Sequence, residues 1–309
     1  MSFRALPQPF VCCVLIDDTT VDGMLRTMKL AEYEGADAFV LELQGLDSDQ
    51  RSPEALRPLF RQATRPIFTV YRRYSIRGTT FVPAELDEAA RMRAQLDLLD
   101  LGSIGFDMEL DTFDPRPGPP AHTDEGKRYN LDRSSAPREV SHEPRAVEQQ
   151  MRLIDEAHRR GGEVLASAHT LTRMTPEDAV GLGRLAVERG ADALKIVQFC
   201  ASYEDALEAL QTSVLLKREL PIPFVHMAMG EYGKLVRAFA PMFGSMLVFA
   251  RRDYAPGSFL DQPPLKSMRA LFDSVDFRIS QRAEDFLPPE MRDGQFEAAT
   301  SRLVAPGAR

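Results

Sequence analysis

The residues best able to do chemistry in this chain are those that interrupt short apolar runs. In Ala193-Leu194-Lys195-Ile196-Val197 a lysine sits inside a run that otherwise reads as a buried strand. Such a lysine is either paired with a carboxylate for structure or gives up its proton. The neutral amine then attacks a carbonyl carbon to form a Schiff base. The run Val164-Leu165-Ala166-Ser167-Ala168 ends in His169, one of five histidines. An imidazole titrates near neutrality, so it can take a proton from carbon beside an iminium and return one to a leaving hydroxyl.

Carboxylates interrupt two further runs: Glu42 in Val40-Leu41-Glu42-Leu43, and Asp107 with Glu109 in Phe106-Asp107-Met108-Glu109-Leu110. Strand side chains alternate, so Asp107 and Glu109 share one face, the interior one if Phe106, Met108 and Leu110 pack under helices. These acids could pair with Lys195, hold substrate hydroxyls or, together with His169, ligate a divalent metal. In Met229-Gly230-Glu231-Tyr232-Gly233-Lys234-Leu235-Val236-Arg237 two glycines precede a helical segment. They permit close approach of a ligand to backbone, and Arg237 offers a two-pronged partner for a carboxylate or phosphate. Tight-turn glycines and a solvated arginine are the competing reading.

The elements that must position these groups follow one pattern. Short β-branched runs at Val11–Ile16, Ala38–Leu43, Pro66–Tyr71, Ile104–Leu110, Glu163–His169, Ala193–Val197, Pro223–Ala228 and Met246–Ala250 read as strands. Amphipathic segments around 21–34, 53–63, 84–99, 145–160, 176–189, 203–217, 232–242 and 264–275 read as helices between them. Ser52 with Pro53, Thr175 with Pro176 and Glu177, and Ser202 with Asp205 read as helix starts, while Gly35, Gly161 and Gly190 follow helix ends.

Eight βα units predict an α/β fold of the (β/α)8, or TIM-barrel, kind over residues 1–277, which puts reactive groups at the C-terminal ends of the strands. A doubly wound open sheet is the alternative, but no GxGxxG follows the first strand and no GxxxxGK[ST] occurs. The stretch Thr112 to Pro144, rich in Pro, Gly, Asp and Arg, is an insertion after the fourth strand on the C-terminal face. It reads either as an active-site lid or as a surface insertion. Residues 278–309 read as a C-terminal extension.

Composition narrows the function classes. The chain has 309 residues, 44% hydrophobic and 27% charged, with a formal net charge of −8. No basic excess is left to neutralise a nucleic acid or an anionic bilayer, and no apolar run approaches the roughly 20 residues of a membrane span. The first residues carry no secretory signal pattern, so a cytoplasmic location is expected. The three cysteines, Cys12, Cys13 and Cys200, show neither a disulfide framework nor metal-ligand spacing, and read as reduced core thiols.

Together these segments resemble type I 3-dehydroquinate dehydratase, the Schiff-base enzyme of the shikimate pathway, from about Val11 to Phe277. Leu41-Glu42-Leu43-Gln44 up to Asp47 is similar to the family's V-E-L-R-x-D, and Phe106 to Leu110 to its D-x-E-L strand. Ser167-Ala168-His169 followed by Thr175-Pro176 is similar to S-x-H-D-F…T-P, and Gly190-Ala191-Asp192-Ala193-Leu194-Lys195-Ile196 to G-A-D-x-x-K-I. Met229-Gly230…Gly233…Arg237 and Phe243-Gly244-Ser245 are similar to M-G…G…S-R and F-G-S.

The resemblance implies a (β/α)8 barrel, a homodimer, no cofactor and no metal. It also implies an imine on Lys195, His169 as general acid/base, and Arg237 as partner of the substrate carboxylate. Further substrate contacts fall on Glu42, Gln44, Arg72, Tyr254 and Ser258.

The substrate shell departs from the family pattern. Gln44 stands for the arginine after V-E-L, with one extra residue before Asp47, and Tyr71 for the arginine of T-x-R unless a shift brings Arg72 or Arg73 into its place. The glutamate of E-G-G, which orients the family histidine, is absent; Ser75-Ile76-Arg77-Gly78 is found there. Val236 replaces the serine before the arginine, and Tyr254-Ala255-Pro256-Gly257-Ser258 replaces S-x-P-G-Q. The imine machinery is kept while the shell is altered, so the expected substrate is 3-dehydroquinate or a related cyclic β-hydroxy ketone. A metal-dependent sugar isomerase or epimerase using the carboxylates, and a catalytically lapsed barrel kept for binding, are the alternative functions.

Overall fold

Strand β1 (Phe10–Leu15) lies between β10 (Leu247–Ala250) and β2 (Ala38–Glu42), with all three parallel. The series continues through β3 (Ile67–Val70), β6 (Gly105–Glu109), β7 (Glu163–Ala168), β8 (Ala193–Phe199) and β9 (Phe224–Met229), giving eight parallel strands in a nearly closed barrel. This computed structural model describes residues 2–77, 80–119, 123–131, 139–170, 174–254 and 260–275. The chain divides into two units, Met1–Lys266 and Ser267–Arg309, and the barrel strands belong to the first. The extension expected at 278–309 lies outside the described residues. Among the described residues no helix is long and apolar enough to cross a membrane.

At the last seam β9 and β10 meet through two bonds near their N-terminal ends. The Met246 amide donates to the Phe224 carbonyl at 2.7 Å, and the His226 amide donates to Ser245 Oγ at 3.0 Å. The close pairing of β6 with β7 needs Gly105, because a Cβ there would lie 2.2 Å from the Glu163 carbonyl oxygen.

Alternation along the strands makes two apolar layers. Cys12, Val14, Val40, Phe68, Val70, Leu165, Val225, Met227 and Phe249 fill the barrel interior, while Phe106, Met108, Leu110, Val164, Ala166, Leu194 and Ile196 pack under helices. This is the face assignment expected for Phe106, Met108 and Leu110, and it turns Asp107 and Glu109 inward. Phe3, fully buried, joins the interior layer edge-on to Phe68 at 5.5 Å, and its amide donates to Glu163 Oε2 at 2.6 Å.

The helices begin where their caps say they should. They are α1 (Val21–Tyr33), α2 (Pro53–Gln62), α3 (Glu88–Leu99), α4 (Asp124–Leu131), α5 (Pro144–Arg159), α6 (Pro176–Glu188), α7 (Tyr203–Glu219), α8 (Gly233–Phe239) and α9 (Leu265–Ser274). Ser52 caps α2, Ser202 caps α7, and Thr175 with Asp178 forms a reciprocal capping box on α6. Gly35, Gly161 and Gly190 take positive φ where α1, α5 and α6 end.

Three features differ from the expectation. The helix foreseen at 84–99 starts only at Glu88, because an antiparallel hairpin, β4 (Tyr74–Arg77) with β5 (Thr80–Pro83), fills the preceding loop. The insertion holds a short helix, α4. The segment foreseen at 232–242 is α8 followed by a tighter turn at Ala240–Phe243, entered through Pro241, which has no amide hydrogen to continue the helical ladder. All three cysteines are buried and none forms a disulfide, and burial pushes the Cys13 thiol up to about 12.

Candidate active site

Lys195 stands at the third position of β8, on the interior face, and only 7% of it is exposed. Its Nζ donates to Asp107 Oδ2 at 3.0 Å and lies 5.2 Å from the centre of the Phe249 ring. Asp107 Oδ1 accepts from Ser167 Oγ at 2.6 Å. Burial disfavours the Asp107 carboxylate, but Lys195, His169 and Arg72 outweigh it and hold that carboxyl below its ordinary range.

β7 pairs with β8 so that Ser167 lies opposite Lys195, which carries His169, two residues on, to the mouth beside it. Its backbone amide donates to Glu139 Oε2 and its ring Nδ1 lies 3.3 Å from Glu139 Oε1. Burial, then the charges of Arg72 and Lys195, push the imidazole well below its ordinary pKa. This favours the neutral form of the imidazole, which has one ring nitrogen free to take a proton. The other strand histidine, His226, turns outward instead. Its ring nitrogens meet Ser213 Oγ at 2.8 Å and Gln198 Oε1 at 3.0 Å, and burial pushes it down to about 4.

A charged layer continues from this pair toward β3. Glu109 receives Arg72 at 3.4 Å, Arg91 at 3.1 Å and the backbone amide of Arg73 at 3.2 Å. Arg72 also reaches Glu139 at 3.0 Å, and Arg73 bridges Glu88 at 2.7 Å and Asp111 at 3.0 Å. The buried acids are thus matched by buried cations, which limits the desolvation penalty each would carry alone. Glu42, at the end of β2, accepts from Ser75 Oγ at 2.5 Å. Among the described residues no group of three or more His, Cys, Asp and Glu is arranged to hold a metal ion.

The remaining sequence candidates are less concentrated. Gln44 is buried in a tight turn at Leu43–Gly45. Arg237 is buried rather than solvated. Its Nε donates to the Ala228 carbonyl at 2.8 Å, its terminal nitrogens lie against the Met227 and Met229 sulfurs, and burial pushes it down to about 10. Tyr254 is half-exposed, with its hydroxyl 3.5 Å from the Leu260 carbonyl, and Ser258 lies outside the described residues.

Sequence reasoning gathers Lys195, His169, Asp107 and Glu109 and names Arg73 only as an alternative to Arg72, but misses Glu139, Arg91 and Asp111. Glu139 carries no motif. The only hint is that the polar insertion returns to a buried apolar residue at Val140, just ahead of α5.

Fold and site together define a (β/α)8 barrel with a buried lysine, its carboxylate partner and a neutral histidine at the C-terminal mouth. The sequence model of type I 3-dehydroquinase matches residues 12–276, and the chain belongs to that family. A 3-dehydroquinate dehydratase of Aromatoleum aromaticum is 31% identical over 138 residues, 44% of this chain and 50% of that protein. One from Geobacillus thermodenitrificans is 32% identical over 147 residues, 46% and 53% of the two chains. The chain therefore spans about half the length of these relatives.

In structure it is similar to the 3-dehydroquinate dehydratase of Geobacillus kaustophilus, with a TM-score of 0.68 and 21% identity over 88% of this chain and 93% of that one. It is also similar to the Clostridium difficile type I enzyme with covalently modified comenic acid, at 0.64 and 16% over 87% and 92%. At such identities the likeness is one of fold.

Proposed function

We propose that the protein is a Schiff-base dehydratase of the type I 3-dehydroquinase kind, a carbon–oxygen lyase acting on 3-dehydroquinate or a closely related cyclic β-hydroxy ketone in the shikimate pathway. The observation that carries this reading is a single buried cluster in which Lys195, held 3.0 Å from Asp107, lies beside the neutral His169.

Lys195 gives up a proton, with Asp107 the carboxylate in reach, and its nitrogen attacks the ring ketone. Loss of water leaves an iminium, which draws electrons from the adjacent carbon. His169 removes the proton there, and the hydroxyl on the next carbon departs as water after taking a proton back from the imidazolium. Hydrolysis of the conjugated imine releases the enone and restores Lys195. The net change is loss of one water.

Glu42, Gln44, Arg72, Arg237, Tyr254 and Ser258 are the proposed contacts to the substrate's hydroxyls and carboxylate. Incubation with 3-dehydroquinate, followed by the near-ultraviolet absorbance of the enone product, tests the reading. Turnover supports it, and a folded protein inert toward this and related ketones contradicts it.

A further inference from the structure

A histidine that takes a proton from carbon must present a lone pair on one nitrogen while the other is held, because a freely turning ring exchanges the two. Among the described residues the hydrogen-bond partner of the His169 ring is Glu139. The other interior acids are committed elsewhere. Asp107 receives Ser167 and Lys195, and Glu109 receives Arg72, Arg91 and the Arg73 amide.

Glu139 grips His169 twice, by the backbone amide and by Nδ1, and is itself gripped by Arg72 at 3.0 Å. Two contacts from one carboxylate to the backbone and the ring of one residue fix both position and rotation.

The backbone that delivers Glu139 is anchored. Val140, the next residue, is buried in the layer between strands and helices. The Ser141 amide donates to the Leu110 carbonyl at 3.0 Å, just past the end of β6. Arg189, at the end of α6, donates to the Ser141 carbonyl at 2.5 Å, to the Leu110 carbonyl at 2.9 Å and to Gln150 Oε1 at 2.8 Å. Gln150 on α5 donates in turn to the Leu110 and Thr112 carbonyls at 2.9 and 2.7 Å. The two ends of the insertion are thus tied to each other and to two helices, and Glu139 projects from that knot into the mouth.

We propose that Glu139 is the positioning residue of His169. Its carboxylate accepts the Nδ1 proton and so reserves Nε2 as the atom that exchanges protons with substrate. In this way the insertion after the fourth barrel strand supplies a working part of the site. The inference deepens the dehydratase reading and rests on it for its kinetic consequence, but not for its structural one.

The test has two readouts. In two-dimensional nitrogen–proton spectra of the free protein, the His169 ring is expected as the Nδ1-protonated tautomer, and Glu139→Gln is expected to mix or invert the tautomers. In turnover of 3-dehydroquinate, Glu139→Gln is expected to lower kcat by roughly 10²- to 10⁴-fold, the share of a correctly oriented proton-transferring histidine. KM changes little, and the borohydride-trapped Lys195 adduct still forms.

An Nε2-protonated ring in the parent protein overturns the proposal even if the variant fails to fold. A variant with unchanged kcat and tautomer overturns it as well. A parent protein that does not turn over the substrate refutes the dehydratase reading alone, and the ring spectra then decide the role of Glu139.

Discussion

Replacing Asp107 with asparagine keeps the side-chain volume and an acceptor for Ser167, but it removes the counter-ion of a buried ammonium. Nζ and Oδ2 are 3.0 Å apart, and at an effective dielectric constant of about 20 Coulomb's law gives roughly 5.5 kcal/mol for such a pair. Removing one partner of a buried pair costs about 3–5 kcal/mol, because the other is left uncompensated. The lower range applies here, since the amide oxygen still offers a dipole. The comparison is a cycle of Asp107→Asn, Lys195→Met and the double variant, each unfolded in urea at pH 7.

The single Asp107 variant is expected to lose about 3 kcal/mol with unchanged denaturant slope. The double variant is expected to lose about 3 kcal/mol less than the sum of the singles, since it leaves no orphaned charge. An Asp107 variant within about 1 kcal/mol of the parent, or losses that add to within about 0.5 kcal/mol, would refute the claim that Asp107 compensates the buried charge of Lys195.

Two further outcomes follow from the same geometry. His169→Ala is expected to form the imine but to slow turnover by roughly 10²- to 10⁴-fold, the usual share of a proton-transferring side chain; a parent-like rate removes His169 from that role. Burial, then the Glu139 charge, pushes Asp111 up to about 7 against the pull of Arg73. The folded chain therefore holds a proton there that the unfolded chain, with a carboxyl near 4, has released. Stability from this group is present below about pH 4 and is lost as pH rises toward 7, at about 1.4 kcal/mol per unit. Between pH 5 and 7 the parent is expected to lose stability relative to Asp111→Asn in paired urea titrations, and parallel profiles contradict the assignment.

Much of this arrangement is legible in the sequence because strands and caps leave local marks. Lys195, Asp107 and Glu109 are visible as charges inside apolar runs, and alternation alone fixes their face. The capping residues of α2, α6 and α7 stand where the sequence puts them. What escapes is non-local. The β4–β5 hairpin interrupts the βα rhythm without an apolar face long enough to signal it. Glu139 is held toward His169 by Arg189, at the end of α6, which grips the Ser141 carbonyl, while Gln150 on the following helix ties the start of the insertion at Thr112. Its proposed role is one that the resemblance puts on a glutamate after β3, where this chain has Ser75, which binds Glu42. Arg237 shows the converse case, for its motif is plain but the site geometry buries it against backbone and sulfur.

The central claim is that Lys195 forms a covalent imine with the substrate. The protein is mixed with 3-dehydroquinate, reduced with borohydride and weighed intact, then digested to locate any added mass. A reduced adduct on Lys195, absent from Lys195→Ala, is the expected result. A folded, unmodified parent protein, or an adduct on another lysine, would contradict the account.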